Sequence, residues 1–429
     1  MRKITFWLSL ILIFIIPWED SLSIMSVGSL TRVIGLIAAG FWFMTILTEG
    51  QFRKPHLFHA FVLFFILWNV VGYIWSMDTD RTLERIKTYG QIFILMLILW
   101  ETLKKPTDLI AGLQAYIFGA FVLIASTLSN YLNGTVAENY EVRYSATGVN
   151  AVDLALLLLL GIPLAWHLIQ IADKKKNRIL ILLNFSYIPL ALFSILLTAS
   201  RTSLFAIVPA VIYMVWPKRL DFGRVIIIPV FLLISILVLR AILPSGVIER
   251  LASTSVSISS TDFGGRVNLW VETIAIFLRH PLIGNGSGTL FTTIGSESHQ
   301  TFLSILAETG LIGFVLFACI LAIVVNQAVR LPKGYSGLWL AVFFVWTIGV
   351  LSLTFEFRKA TWLFLSFVII EGVALNEQLR PQKVVQWLSE GFKRSYRSQA
   401  NDPESVETLT DFTNEGGNEF AKRKTGVFH

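Results

Sequence analysis

The chain is poor in charge, in cysteine and in histidine, and the first two shortages each close off a class of protein. Only 15% of its 429 residues are charged, against 55% hydrophobic. A water-soluble domain needs more charge to cover its surface, so a soluble globular fold is excluded and an integral membrane protein is implied. A single cysteine, Cys319, lies inside an apolar run. Disulfide frameworks and thiolate metal sites are thereby excluded. The six histidines are scattered along the chain. No internal repeat is visible, which gives an inverted-repeat transporter architecture no support.

Apolar runs fill the chain to about residue 375, each near the ~20 residues that a bilayer span requires. They predict an all-α polytopic fold of about twelve transmembrane helices, at 4–18, 30–48, 57–77, 86–101, 107–132, 150–171, 179–198, 202–217, 224–243, 299–327, 337–355 and 360–375. The first run, "RKITFWLSLILIFIIPW", is not followed by a small-residue cleavage site and reads as a span. Residues 1–375 form one membrane domain in this reading, and the polar stretch 376–429 is a flexible cytoplasmic tail.

The net charge of +7 is a topology signal, because Lys and Arg cluster in alternate short loops. Arg2-Lys3, Arg53-Lys54, Lys104-Lys105, "DKKKNR" at 173–178, "PKRLDFGR" at 217–224 and Arg330 with Lys333 mark the cytoplasmic side. Both termini are then cytoplasmic, and nucleic acid is not a partner. The remaining connections face outward, including 133–149, the tight hairpin 199–201, 356–359 and the longest, 244–298.

Arginines on that outward side need another explanation than topology. Arg143, Arg201, Arg266 and Arg358 lie there, and guanidinium forks match phosphate oxygens in bidentate fashion. Snorkelling to lipid headgroups is the competing account, and the better one for Arg240, Arg250 and Arg279. Within the long connection, Val267, Trp270, Val271, Ile274 and Phe277 or Leu278 recur at helical spacing, with Asn268, Glu272 and Arg279 opposite them. They predict an amphipathic helix on the membrane surface, ended by Pro281. "GNGSG" at 284–288 follows no strand and reads as a turn, not a phosphate cradle.

His280 and His299 are the outward histidines. His299 opens a span, with Ser296 or Ser298 as the expected N-cap, and a helix N-terminus favours the neutral imidazole that a general base requires. Glu308, two turns into the same helix, faces away from His299 and either pairs with another helix or lines a cavity. Glu356 is a candidate ion-pair partner of Arg358. "DTD" at 78–80 resembles a metal-holding D-x-D, but Asp80 as an N-cap is the better reading.

Four stretches together resemble the superfamily of O-antigen ligases and Wzy-type polymerases, bacterial membrane glycosyltransferases: "RYSATGVNAVDLALLLLLGIPLAW", "LLTASRTSLFAI", "GGRVNLWVETIAIFLRHPLIGNGSGTLF" and "SHQTFLSILAETGLIGFVLF". The resemblance implies glycan transfer at the outer face of the bacterial cytoplasmic membrane, in lipopolysaccharide or exopolysaccharide synthesis, with no metal and no cofactor. The donor would be a glycan on undecaprenyl pyrophosphate, and the acceptor a lipid A–core or another glycan. It implies Arg201, Arg266 and Arg143 as pyrophosphate contacts and His299 as the base, with Gln300, Glu308 and Arg358 in supporting positions. Many relatives carry Asn after the histidine, where this chain has Gln300. A transporter or lipid-linked-oligosaccharide flippase is the alternative, and Glu308 is the residue that argues for it.

Overall fold

The computed structural model describes residues 1–21, 23–24, 28–50, 52–137, 142–215, 243–253 and 266–378. Met1–Gly372 forms one compact unit, and Val373–His429 is a second. In chain order the helices are α1 (Arg2–Ile15), α2 (Leu30–Glu49), α3 (Leu57–Gly72), α4 (Thr79–Thr102), α5 (Pro106–Leu132), α6 (Ala151–Lys174), α7 (Arg178–Leu197), α8 (Arg201–Ala206), α9 (Val208–Val215), α10 (Ser245–Ala252), α11 (Arg266–Phe277), α12 (Leu290–Ile294), α13 (Thr301–Arg330), α14 (Lys333–Val350) and α15 (Lys359–Gln378). A two-residue antiparallel pair, Ser23–Ile24 with Gly28–Ser29, is the only strand pairing among the described residues.

Nine of the described helices are long and apolar enough to cross a membrane, so the polytopic all-α class holds. The differences from the expected spans have local causes. The apolar run 86–101 is the second half of α4, whose first turns carry Asp80, Arg81, Glu84 and Arg85. The run 202–217 is interrupted at Ile207 between α8 and α9, where Pro209 in the first turn of α9 removes one N–H and restricts the residue before it. The expected span 224–243 lies outside the described residues, as does the expected tail beyond Gln378.

The core forms around α6, buried along most of its length between α5, α7 and α14. Pro163 lies inside this helix. In the turns before it, Tyr116 Oη donates to the Leu157 carbonyl and Tyr187 Oη to that of Leu158, both at 2.9 Å. Neither acceptor is the Leu159 carbonyl, whose helical donor Pro163 removes; the two tyrosines instead tie α5 and α7 to α6.

Charges sort to the two ends of the bundle. At one end Glu101 accepts from the Arg53 backbone N–H at 2.9 Å and pairs with Arg2 and Lys104. At the other, Arg358 reaches Asp20 and Asp153, each at 2.8 Å, and Lys359 pairs with Glu19. The second end is the one that holds the candidate site.

The site end is organised by a break in α13. At Gly310 the backbone turns to φ 67°, ψ −172°, a conformation open essentially to glycine alone. The break frees backbone groups on both sides, and the preceding loop takes them up. Asn285 N–H donates to the Ala307 carbonyl (3.1 Å) and Gly286 N–H to that of Glu308 (2.9 Å), while Leu311 N–H donates to the Pro281 carbonyl (2.9 Å). Trp68 Nε1 donates to the Thr309 carbonyl at 2.8 Å. A β-carbon on Gly310 would lie 2.4 Å from the Leu282 carbonyl oxygen.

Gly310→Ala therefore combines a forbidden backbone conformation with a clash, a loss of about 1–3 kcal/mol or more. It is expected to lower the melting temperature of the detergent-solubilised protein by several degrees. Gly90→Ala in α4, where a β-carbon meets nothing within 4 Å, is expected not to.

Candidate active site

His299 lies just before α13 in a left-handed backbone conformation, φ 49°, unusual for a residue with a β-carbon. The N-cap of α13 is Gln300, whose side-chain oxygen accepts from the Leu303 N–H. This corrects the expectation of a serine cap. Ser298 instead folds the turn from the other side: its hydroxyl donates to the Gln300 carbonyl and accepts from the Gln300 N–H. With its amide spent on the cap, Gln300 fixes the point from which the half-buried His299 ring leaves the backbone. Burial holds the imidazole below its ordinary pKa of 6.5, and the nearby Arg266 guanidinium lowers it further.

Arg266 opens α11, the predicted amphipathic helix. Thr273 and Ile276 face inward, with Ile276 and Phe277 packing against Leu290 and Ala307. Val271, Ile274 and Leu278 are left uncovered by protein, as a membrane-surface helix requires. The "GNGSG" loop next to it is structural: Asn285 Nδ2 donates to the Ile276 and Ala307 carbonyls at 3.0 and 2.9 Å, and Thr82 Oγ1 donates to the Ser287 carbonyl at 2.7 Å. α11 and α13 are thus stitched together through one loop, and that stitching brings Arg266 to His299.

The other two predicted arginines occupy a neighbouring junction. Arg143 is buried, and its Nε donates to the Thr198 carbonyl at 2.8 Å, just past the end of α7. Arg201 opens α8 and donates to the Arg250 carbonyl (3.3 Å) and to Ser253 Oγ (2.7 Å) at the end of α10. Between them Ala199 adopts φ 47°, in the position after α7 where glycine is usual. Like His299, it is a non-glycine residue held in a left-handed turn beside a predicted site residue. Strain of this kind tends to gather at functional sites.

Arg358 is used differently. Its two carboxylate partners, Asp20 and Asp153, join the start of α15 to the segment after α1 and to the first turn of α6. Glu356 is not its ion-pair partner. That carboxyl is buried, neither oxygen finds a hydrogen bond, and it lies in the field of Arg85. Burial pushes its pKa up to about 8, against the opposing pull of Arg85.

Arg85 is the residue that sequence reasoning missed. It sits over the Phe357 ring, 3.5 Å from the centroid, and interacts with Glu308, Glu356 and Glu297. The signal was present as a stripe at helical spacing, Thr82, Arg85 and Tyr89, on one face of α4, with Thr82 and Tyr89 buried. Glu308 lines a cavity and lies in the field of Arg85; it also accepts from the Gly288 and Leu290 N–H groups. The cavity, about 390 Å³, is walled by Arg32, Arg81, Arg85, Glu84, Glu297 and Glu308 among others. His299, Arg266, Arg201 and Arg143 are not in its wall. Of the "DTD" motif, Asp78 and not Asp80 is the cap of α4; its carboxylate accepts from the Arg81 N–H at 3.1 Å and from Thr292 Oγ1 at 2.5 Å.

Fold and site together define a multi-pass membrane protein with a strained histidine beside an arginine at one end of its bundle. Residues 187–318 match a protein-family model, that of the O-antigen ligases. The matched segment contains Arg201, Arg266, His299 and Glu308, and over it the resemblance read from the sequence is borne out. The match covers that segment and not the whole chain; with the multiple apolar helices it indicates a bacterial membrane protein and supports a part in the ligation or polymerisation of surface polysaccharide. No curated protein matches the chain.

Two titrations check the electrostatics. In ¹³C-histidine NMR, His299 is expected to titrate below 6.5 and to move upward in Arg266→Gln, because the opposing charge is gone. For Glu356 the folded value, about 8, stands above the ordinary 4.5. The fold therefore holds a proton at low pH and is penalised as pH rises between those values. Glu356→Gln should leave thermal stability near pH 4.5 little changed and raise it at pH 8, by about 2–4 °C for each kcal/mol relieved.

Proposed function

We propose that this protein transfers a glycan from undecaprenyl pyrophosphate to an acceptor hydroxyl at the outer face of the cytoplasmic membrane. The pairing of His299 with Arg266, inside the segment that matches the O-antigen ligases, carries the reading. The end of the bundle that bears them is the outward one if the basic loops at the other end face the cytoplasm.

In the reaction the acceptor oxygen attacks the anomeric carbon while His299 removes its proton. The bond from that carbon to the pyrophosphate oxygen breaks, and the leaving group keeps the electron pair. Arg266 stabilises the charge that develops there, with Arg201 and Arg143 from the neighbouring junction, and so takes the place that a metal ion holds in other transferases. A depressed pKa suits His299 to this role, because a base must be neutral before it can act. Attack from the face opposite the leaving group gives inversion at the anomeric carbon. Gln300 serves as a positioning residue through the cap, and Arg358 holds the surrounding helices.

A transporter or flippase would share one feature, the discontinuous α13 with its buried Glu308. In transporters such breaks leave backbone groups for the cargo. Here the loop 281–286 and Trp68 take them, and Glu308 faces Arg85.

In proteoliposomes supplied with lipid-linked glycan, His299→Ala is expected to lower transfer by ~10²–10⁴-fold, the usual contribution of a general base. Arg266→Ala should also abolish transfer, and membrane insertion should be unchanged in both. Full activity of purified His299→Ala would overturn the mechanism.

A further inference from the structure

Next to the polar cavity lies a second of about 210 Å³, lined by Leu12, Ile16, Leu36, Ala39, Ile94 and Leu95 among others. Arg32 and Gln91 line both. The polar one runs along the charged first half of α4, and the apolar one along its apolar second half against α1 and α2. A ligand filling both must have a polar head and an apolar tail.

The head can be characterised from the walls. Cations and carboxylates are mixed there, with Arg81 and Arg85 beside Glu84, Glu297 and Glu308. In all, four cations, with Arg32 and Lys87 included, face three carboxylates, so the wall offers acceptors as well as donors, which a bare phosphate would not use. A group rich in hydroxyls can donate to the carboxylates and accept from the guanidiniums, which is the chemistry of a sugar. Two further features fit. Gln91 presents an amide at the junction, and the Thr354 hydroxyl lies in the same wall. A volume of about 390 Å³ is within the range of small-molecule sites. At the junction Arg32, exposed on an otherwise apolar helix, suits an anionic link between sugar and chain.

We propose that the polar cavity is the acceptor subsite, binding the glycan of a lipid-borne acceptor whose chain lies in the apolar groove between α1, α2 and α4. This rests on the transfer reading and deepens it. The acceptor is recognised at α4 and the donor pyrophosphate at Arg266 and Arg201, on separate walls of the same end of the bundle. The glycan is selected by hydrogen bonds, and the groove favours acceptors attached to the membrane over those free in water.

The test uses the full chain in phospholipid nanodiscs and three radiolabelled probes: a disaccharide joined by a phosphodiester to a dodecyl chain, the disaccharide alone, and dodecyl phosphate alone. The joined probe should bind at least ~10-fold more tightly than either part, a gain of about 1.4 kcal/mol. Gln91→Leu with Thr354→Val should weaken the joined probe and the disaccharide by about that factor and spare dodecyl phosphate. Ala39→Phe, which fills the groove, should weaken the joined probe and dodecyl phosphate and spare the disaccharide. Binding that is equal for the joined probe and dodecyl phosphate, or unmoved by both variants, would overturn the proposal. His299→Ala keeps the two readings apart, because it should lose transfer yet retain probe binding.

Discussion

Everything at the site end depends on how the backbone groups freed at Gly310 find partners. A helix interrupted inside a membrane exposes amides and carbonyls that lipid cannot satisfy, each at a cost of several kcal/mol. In this chain the loop 281–286 lies along the break and exchanges hydrogen bonds with it on both sides. The glycines of "GNGSG" are there because of that approach: a β-carbon on Gly284 would sit 2.3 Å from the Glu308 carbonyl oxygen. The loop that looked like a phosphate cradle is in fact the second half of a broken-helix joint.

Several functional placements follow from that joint. With the loop pinned to α13, α11 packs on Ala307 and its first residue, Arg266, comes within electrostatic reach of His299. The same joint turns Glu308 toward the Gly288 and Leu290 amides and Arg85. One carboxylate thus caps a turn and faces a cation, which offsets the desolvation cost of burying it. On the other side of the bundle, Arg358 with Asp20 and Asp153 does comparable work by holding three segments together. The chain therefore keeps two kinds of arginine at one end: those that brace the helices and those that the proposed chemistry uses.

Electrostatics also sets the protonation of two groups at this end in opposite ways. His299 is kept neutral by burial and by a cation. Glu356, in the field of Arg85, is pushed by burial in the opposite chemical direction, toward the protonated acid. His299 is not in the wall of the polar cavity, but Glu297, two residues before it, is, so the cavity adjoins the turn that carries the proposed base.

The sequence by itself determined the membrane class, the approximate spans, the sorting of charge between the two ends and the amphipathic α11, and it nominated the arginines and the histidine of the proposed chemistry. These properties are local: apolar run length, helical periodicity and loop charge are readable from neighbouring residues. Tertiary structure decided which partner each side chain meets, because residues such as Arg85 and Glu308, or Arg358 and Asp20, are brought together only by helix packing across hundreds of positions. Gln300 against Ser298 as the cap, and Asp78 against Asp80, turned on a shift of one or two residues that spacing cannot resolve. The break at Gly310 was hidden in an unbroken apolar run. Its cause is a loop nearly thirty residues earlier in the chain, which supplies the hydrogen bonds that make a broken helix stable.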